Sequence, residues 1–156
     1  MSTAPRVCLR DVLDSDLPIF FEHQRDPEAN RMAAFPARDH EAFAAHWDKI
    51  RGDSSNILKT IVFEGKVAGN IGSWVAGDKR LVGYWVGRDL WGQGIGTTAL
   101  KEFVGQVKTR PLHGFVVKHN TASIRVLEKC GFAVLDRPEA GAGDDGIEEL
   151  LFELRD

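Results

Sequence analysis

The stretch VGYWVGRDLWGQGIGTTALKEFV, Val82 to Val104, holds five of the chain's 16 glycines and then changes into a segment with helical apolar spacing. Gly92, Gly94 and Gly96 fall on alternate positions just before that change. A glycine-rich turn feeding a helix N-terminus is a device for holding phosphate. The first helical turn has unpaired N–H groups and the positive end of the dipole, and glycine lets backbone come close to a ligand. The competing reading is a tight strand-to-helix connection with no ligand.

Working outward, NILKTIVFEGKVAGNIGSWVAGDKRLVGYWVG (56–87) reads as a meander of three antiparallel strands, with turns at Glu64-Gly65 and Gly77-Asp78. After the glycines, Ile95, Ala99, Leu100, Phe103, Val104 and Val107 line one helix face, and Pro111 marks its end. HGFVV (113–117) has the apolar run of a buried strand. A further helix is expected from Asn120 to Cys130, with Gly131 just past its end. FAVLDR and GIEELLFELR complete the chain as two strands, separated by the linker-like AGAGDDG (140–146).

On the N-terminal side, RVCLR (6–10) alternates as a strand, and Asp14 or Ser15 is placed to cap a helix through about Gln24. RDPEANRMAAFPA is rich in turn signals and reads as a connection. A second helix runs from Asp39 to about Ile50, with Phe43, Trp47 and Ile50 at helical spacing. The expected order is β-α-α-β-β-β-α-β-α-β-β, one α/β domain over residues 1–156 with a mixed sheet of six or seven strands and helices on both faces.

Bulk properties narrow the partners. With 43% apolar and 28% charged residues the chain is of globular composition. Twenty basic against 23 acidic residues leave a net charge of −3, no footprint of general nucleic-acid binding. Cys8 and Cys130 match neither a metal-ligand spacing nor a disulfide framework. The N-terminus lacks an apolar core of signal-peptide length, and nowhere do about 18 apolar residues run together. The expectation is a cytoplasmic protein with no membrane association and no metal, monomeric or homodimeric.

Three phosphate devices compete for the glycines. A dinucleotide fold needs G-x-G-x-x-G and an acid about 20 residues on; here Thr97 stands at the third glycine and HGFVV where the acid belongs. A nucleotide P-loop needs Gly-Lys-Ser/Thr, which is missing. WGQGIGTTAL instead resembles the acyl-CoA pyrophosphate loop of the GCN5-related N-acetyltransferase (GNAT) superfamily, Arg/Gln-x-x-Gly-x-Gly/Ala, with Gly94 and Gly96 at the small positions. Trp91 stands where Arg or Gln is usual, a departure that resembles the branch of ribosomal-protein N-terminal acetyltransferases. VVKHNTASIRVLEKCGF (116–132) resembles the next signature of that superfamily, a strand, then Asn, then a helix ending Glu-Lys-x-Gly-Phe. The resemblance covers about 57 to 154; the N-terminal third matches in element order alone.

The resemblance implies a GNAT fold with a wedge between the fourth and fifth strands, acetyl-CoA as co-substrate, and direct transfer to an amine in a ternary complex. Backbone amides of Gln93, Gly94, Ile95, Gly96 and Thr97 would bind pyrophosphate. Backbone of Val86 would pair with pantetheine, and amides near Trp85 or Val86 would stabilise the oxyanion. Asn120 would contact pantetheine or cap its helix, and Ser123 would approach the pantetheine or sulfur or satisfy local backbone. Arg88, Lys101, Lys118, Arg125 and Lys129 are candidate phosphate partners, Lys129 and Arg88 foremost.

The catalytic proton donor is less legible. Many superfamily members carry a tyrosine where this chain has Leu127, leaving Ser123, a water or unassisted departure. Tyr84, the one tyrosine, reads as a packing or substrate-wall residue. Glu22, His23, His40, Glu41 and His46 would border the acceptor, with His23 and Glu41 named as substrate contacts. An α-amine is easier to deprotonate than lysine by roughly 3 kcal/mol at neutral pH, so a site without a strong base suits a peptide N-terminus. Small amines (polyamine, amino acid, aminoglycoside) and a catalytically silent CoA-binding module stay open as alternatives.

Overall fold

The computed structural model describes residues 6–136 and 149–155. Its seven strands form one sheet in the order β1-β2-β3-β4-β5-β7-β6. Strands β1 (Val7–Asp11), β2 (Ile57–Phe63), β3 (Lys66–Ala76) and β4 (Lys79–Val86) pair antiparallel in sequence. The β2–β3 turn is Glu64-Gly65, both at positive φ (50° and 81°), and Gly77 (φ 63°) opens the β3–β4 turn. These are the left-handed positions that tight hairpins require. Strand β5 (Leu112–Val117) is parallel to β4, and β7 (Glu149–Leu154) and β6 (Ala133–Asp136) extend the sheet antiparallel.

Strand alternation divides the core between two faces. Ile61, Ile71 and Val82 meet Ile95, Ala99, Leu100 and Phe103 of α4 (Ile95–Gln106) and Leu127 of α5 (Thr121–Lys129). Leu58 and Val67 meet Phe20 and Phe21 of α1 (Leu17–His23) and Phe43 and Trp47 of α3 (His40–Arg51). Trp47 lies 5.2 Å from the Phe20 ring, so the helical spacing read from the sequence is spent on a small aromatic cluster. Asp39 caps α3, accepting the Ala42 N–H at 2.8 Å.

The structure departs from expectation in the first third. Asp14–Asp16 forms a 3-10 turn and does not cap α1 through Asp14 or Ser15. Asp16 instead turns inward, where Thr60 and Arg10 hold it. RDPEANRMAAFPA contains a helix, α2 (Pro27–Ala33), capped by Asp26, which accepts the Ala29 N–H at 3.0 Å. Asp26 followed by Pro27 at the first helical position is a start signal outweighed in the sequence by its turn-forming neighbours. Alpha2 ends at Ala34, a non-glycine residue at φ 53°. The linker-like 140–146 lies outside the described residues. Among the described residues, no helix is long and apolar enough to cross a membrane.

Candidate active site

Beta4 and β5 share one paired position, Leu81 with His113, whereas β5 pairs with β7 along its whole length. Beyond Leu81 the two strands part, leaving a wedge with unpaired backbone on the β4 side. Which β4 groups face it follows from alternation. Gly87 donates its N–H to Ala68 of the segment leading through β3, so Trp85 and Gly83 also direct their amides to β3. The amides of Tyr84 and Val86 face the wedge. The Val86 carbonyl accordingly accepts the Trp91 indole N–H at 2.9 Å. Of the two amides expected as oxyanion donors, that of Val86 faces the wedge, whereas the Trp85 amide is committed to the sheet; the other β4 amide facing the wedge is that of Tyr84.

The glycines serve two physical ends. Gly92 (φ 80°) and Gly94 (φ 77°) take left-handed backbone, which brings the chain round to start α4 with Gly94 as its N-cap. Gly96 is needed for contact: a Cβ there would lie 3.3 Å from Tyr84 Cε2 and 3.7 Å from Val126. The first helical hydrogen bond is from Thr98 N–H to the Gly94 carbonyl. The amides of Ile95, Gly96 and Thr97 precede it and have no helical acceptor, an anion-binding helix start.

Alpha5 forms the opposite wall. Asn120 Oδ1 accepts the Ser123 N–H at 3.2 Å and so caps the helix. Among the described residues its Nδ2 has no partner, so capping and ligand contact are compatible. Ser123 Oγ lies 3.0 Å from the Tyr84 hydroxyl. Burial pushes the Tyr84 phenol up, with the Ser123 hydrogen bond opposing. Cys130 donates weakly to the Thr97 carbonyl at 3.5 Å, and burial raises its thiol, the chemistry of a packing residue and not of a nucleophile.

These elements enclose a cavity of about 420 Å³ lined by Tyr84, Trp85, Val86, Gly94, Ile95, Gly96, Thr97, Asn120, Ser123 and Lys129. Arg125 joins Lys129 there as a second cation; Arg88 instead approaches Asp26 at 3.8 Å. Gln93 is exposed and does not line the cavity. Neither does Glu41, which sits exposed on α3. Sequence reasoning missed Ala29, Met32 and Ala33 of α2, which line the cavity; Trp91 and Trp85, read from the sequence as core or pocket wall, line it too. A smaller cavity of about 150 Å³ continues between β4 and β5, sharing Ala33, Tyr84, Asn120 and Ser123 and reaching Leu127 and Glu149.

Residues 6–133 match the family model described as "Acetyltransferase (GNAT) domain". The chain belongs to the GNAT acetyltransferase family. Among solved structures, a GNAT-family acetyltransferase from Bacillus anthracis aligns over 98% of this chain and 96% of its own, at 16% identity and TM-score 0.81. Spermidine N-acetyltransferase from Vibrio cholerae, in complex with CoA and spermine, aligns over 96% and 95%, at 12% identity and TM-score 0.82. The aminoglycoside acetyltransferase AAC(6')-Ib, with ribostamycin and coenzyme A, aligns over 96% and 93%, at 16% identity and TM-score 0.79. At these identities the likeness is one of fold. No curated protein sequence matches the chain.

In this GNAT domain one of the five acceptor-side candidates reaches β4. A Cβ at Gly87 would lie 2.7 Å from His23 Nε2, and the His23 carbonyl accepts the Trp85 indole N–H at 3.2 Å. Burial lowers the His23 pKa, with Asp89 opposing, and its Nδ1 is buried without a hydrogen-bond partner. Three others have local duties: Glu22 pairs with Arg25, His40 stacks on Phe21 at 3.9 Å, and His46 meets Trp47 edge-on. On the same side Phe35 meets Trp85 edge-on at 6.0 Å, and the Arg38 guanidinium lies 4.8 Å over Phe35.

Proposed function

We propose that this chain, acting as one domain in the cytoplasm, transfers the acetyl group of acetyl-CoA directly to a primary amine. The observation that carries this is the wedge: the α4 amides, the inward-facing Tyr84 and Val86 amides, and Ser123 line one cavity beside the cations Arg125 and Lys129. The helix start and cations suit a pyrophosphate. The β4 edge suits an extended pantetheine arm pairing as an added strand. The thioester oxygen then falls to the Tyr84 or Val86 amide, where fixed donors stabilise the charge that develops as the amine attacks. Ser123 serves the departing sulfur, and Asn120 Nδ2 the arm.

The acceptor we favour is an N-terminal α-amine. His23 and Phe35 pack beside Gly87 and Trp85 at the end of β4, and we assign the proton to His23, whose burial favours the neutral form. A small-amine acceptor is the second reading, supported by fold neighbours solved with spermine and with ribostamycin.

Calorimetric titration with acetyl-CoA, and with CoA as control, tests the donor half: binding in the micromolar range is expected, and none at millimolar ligand overturns the reading. Release of CoA thiol across a panel of peptides, polyamines and aminoglycosides tests the acceptor. Turnover on peptides alone supports the N-terminal reading, turnover on small amines alone supports the second, and tight CoA binding with no turnover points to a silent CoA-binding module.

A further inference from the structure

Tyr84 is the chain's one tyrosine, and it stands on β4 facing α5. Its ring is fixed between Gly96 and Val126, close enough that a Cβ on Gly96 would already crowd it. Its hydroxyl has Ser123 Oγ, at 3.0 Å, as its one hydrogen-bond partner among the described residues. Tyr84 and Ser123 both line both cavities, at the neck of the wedge. Leu127, one helical turn beyond Ser123, presents no proton donor there.

The direction of the bond follows from chemistry. Either hydroxyl can donate in this half-buried pair, but a phenol is a stronger acid than an alkyl hydroxyl and so the better donor. Tyr84 therefore donates and Ser123 accepts. Ser123 has a single hydrogen of its own, which this arrangement leaves to the cavity.

We propose that Tyr84 is a positioning residue for thiol release: its hydrogen bond turns the Ser123 O–H toward the sulfur of the acyl donor. The inference rests on the acetyl-transfer reading above. As the amine nitrogen bonds to the carbonyl carbon, the C–S bond breaks and its electron pair remains on sulfur. The Ser123 O–H hydrogen-bonds that thiolate. The proton the nitrogen loses on becoming an amide is the one the sulfur gains, so no further reactant is required.

The test uses the full chain with acetyl-CoA and an amine it turns over. In Tyr84→Phe the ring contacts remain, so CoA affinity by calorimetry and KM for acetyl-CoA are expected to stay within about twofold while kcat falls roughly tenfold or more. Ser123→Ala is expected to match it, and the double variant to be no slower than the slower single, because the two hydroxyls act as a unit. A Tyr84→Phe kcat within about twofold of the parent, or multiplicative losses in the double variant, overturns the inference. If Tyr84→Phe does not fold, the single tyrosine allows replacement by 3-fluorotyrosine, a more acidic phenol and a stronger donor. kcat is then expected to change in the parent and not in Ser123→Ala; no change in the parent overturns the inference. A parent chain that binds CoA and turns over while these variants behave normally overturns this step alone. A parent that binds no CoA overturns the acetyl-transfer reading with it.

Discussion

The indole of Trp91 donates a hydrogen bond to the carbonyl of Val86 at 2.9 Å, across the base of the glycine loop. That carbonyl faces the wedge, so in the reading proposed above a pantetheine amide pairing with β4 competes with the indole for it. Trp91→Phe keeps an aromatic wall and removes the competing N–H. Acetyl-CoA binding should tighten by roughly fivefold, the equivalent of about 1 kcal/mol for one exposed hydrogen bond. Calorimetric Kd values for the two proteins decide it; equal or weaker binding by the variant would show that Val86 is not a ligand contact.

The two uses of glycine in the loop separate under substitution. Gly92→Ala meets no neighbour, so its cost is the left-handed backbone alone, about 1–2 kcal/mol of stability. Gly96→Ala has ordinary backbone but presses on Tyr84, so overpacking should cost about 1–3 kcal/mol and displace the Tyr84–Ser123 pair. Urea unfolding measures the first quantity in both. Turnover should fall further in Gly96→Ala than in Gly92→Ala at matched stability.

Asp16 is the buried charge that secures the entry to α1. It accepts both Arg10 guanidinium nitrogens, the Leu13 N–H and the Thr60 hydroxyl, which together hold its pKa at about 2. The folded pKa lies below the unfolded one. Its stabilisation is therefore complete above about pH 4 and lost as pH falls toward 2. Asp16→Asn should cost about 2 kcal/mol at pH 7 and flatten the acid limb of stability against pH, as followed by urea unfolding.

His23 has a dependence of the same sign in a higher pH window. Burial favours its neutral form, so the folded pKa lies below the ordinary 6.5. Between those two values the unfolded chain binds more protons, and stability falls as pH drops below about 6.5. His23→Gln should lessen that fall. If His23 is also the base, the variant should lose the acid limb of kcat/KM for the amine while KM for acetyl-CoA is unchanged. An acid limb that persists in the variant would assign the base elsewhere.

Much of this was legible in the chain because it is local. Gly92 and Gly94 demand left-handed backbone before a helix, Asn120 and Gly131 bracket α5, and the period-two pattern of 56–87 allows little but strands. Alpha2 was not legible, because Pro27 and its neighbours serve a turn or a first helical turn equally well, and packing over the wedge decides between them. The Trp85 amide was misassigned for a related reason. Which of two successive amides faces the wedge depends on strand register with β3, a contact between residues some 15 positions apart.

The sequence by itself determined the donor side of this protein: a phosphate-type helix start and an Asn-capped helix at the spacing of a GNAT fold. Those signals live in backbone conformation, which near neighbours dictate. The tertiary structure alone decided what stands at the neck of the wedge. It brought Tyr84 against Ser123, set His23 against Gly87, and left Glu41 on an outer surface. Each of these depends on how β4 sits between helices on opposite faces of the sheet, a matter of long-range packing that no local pattern encodes.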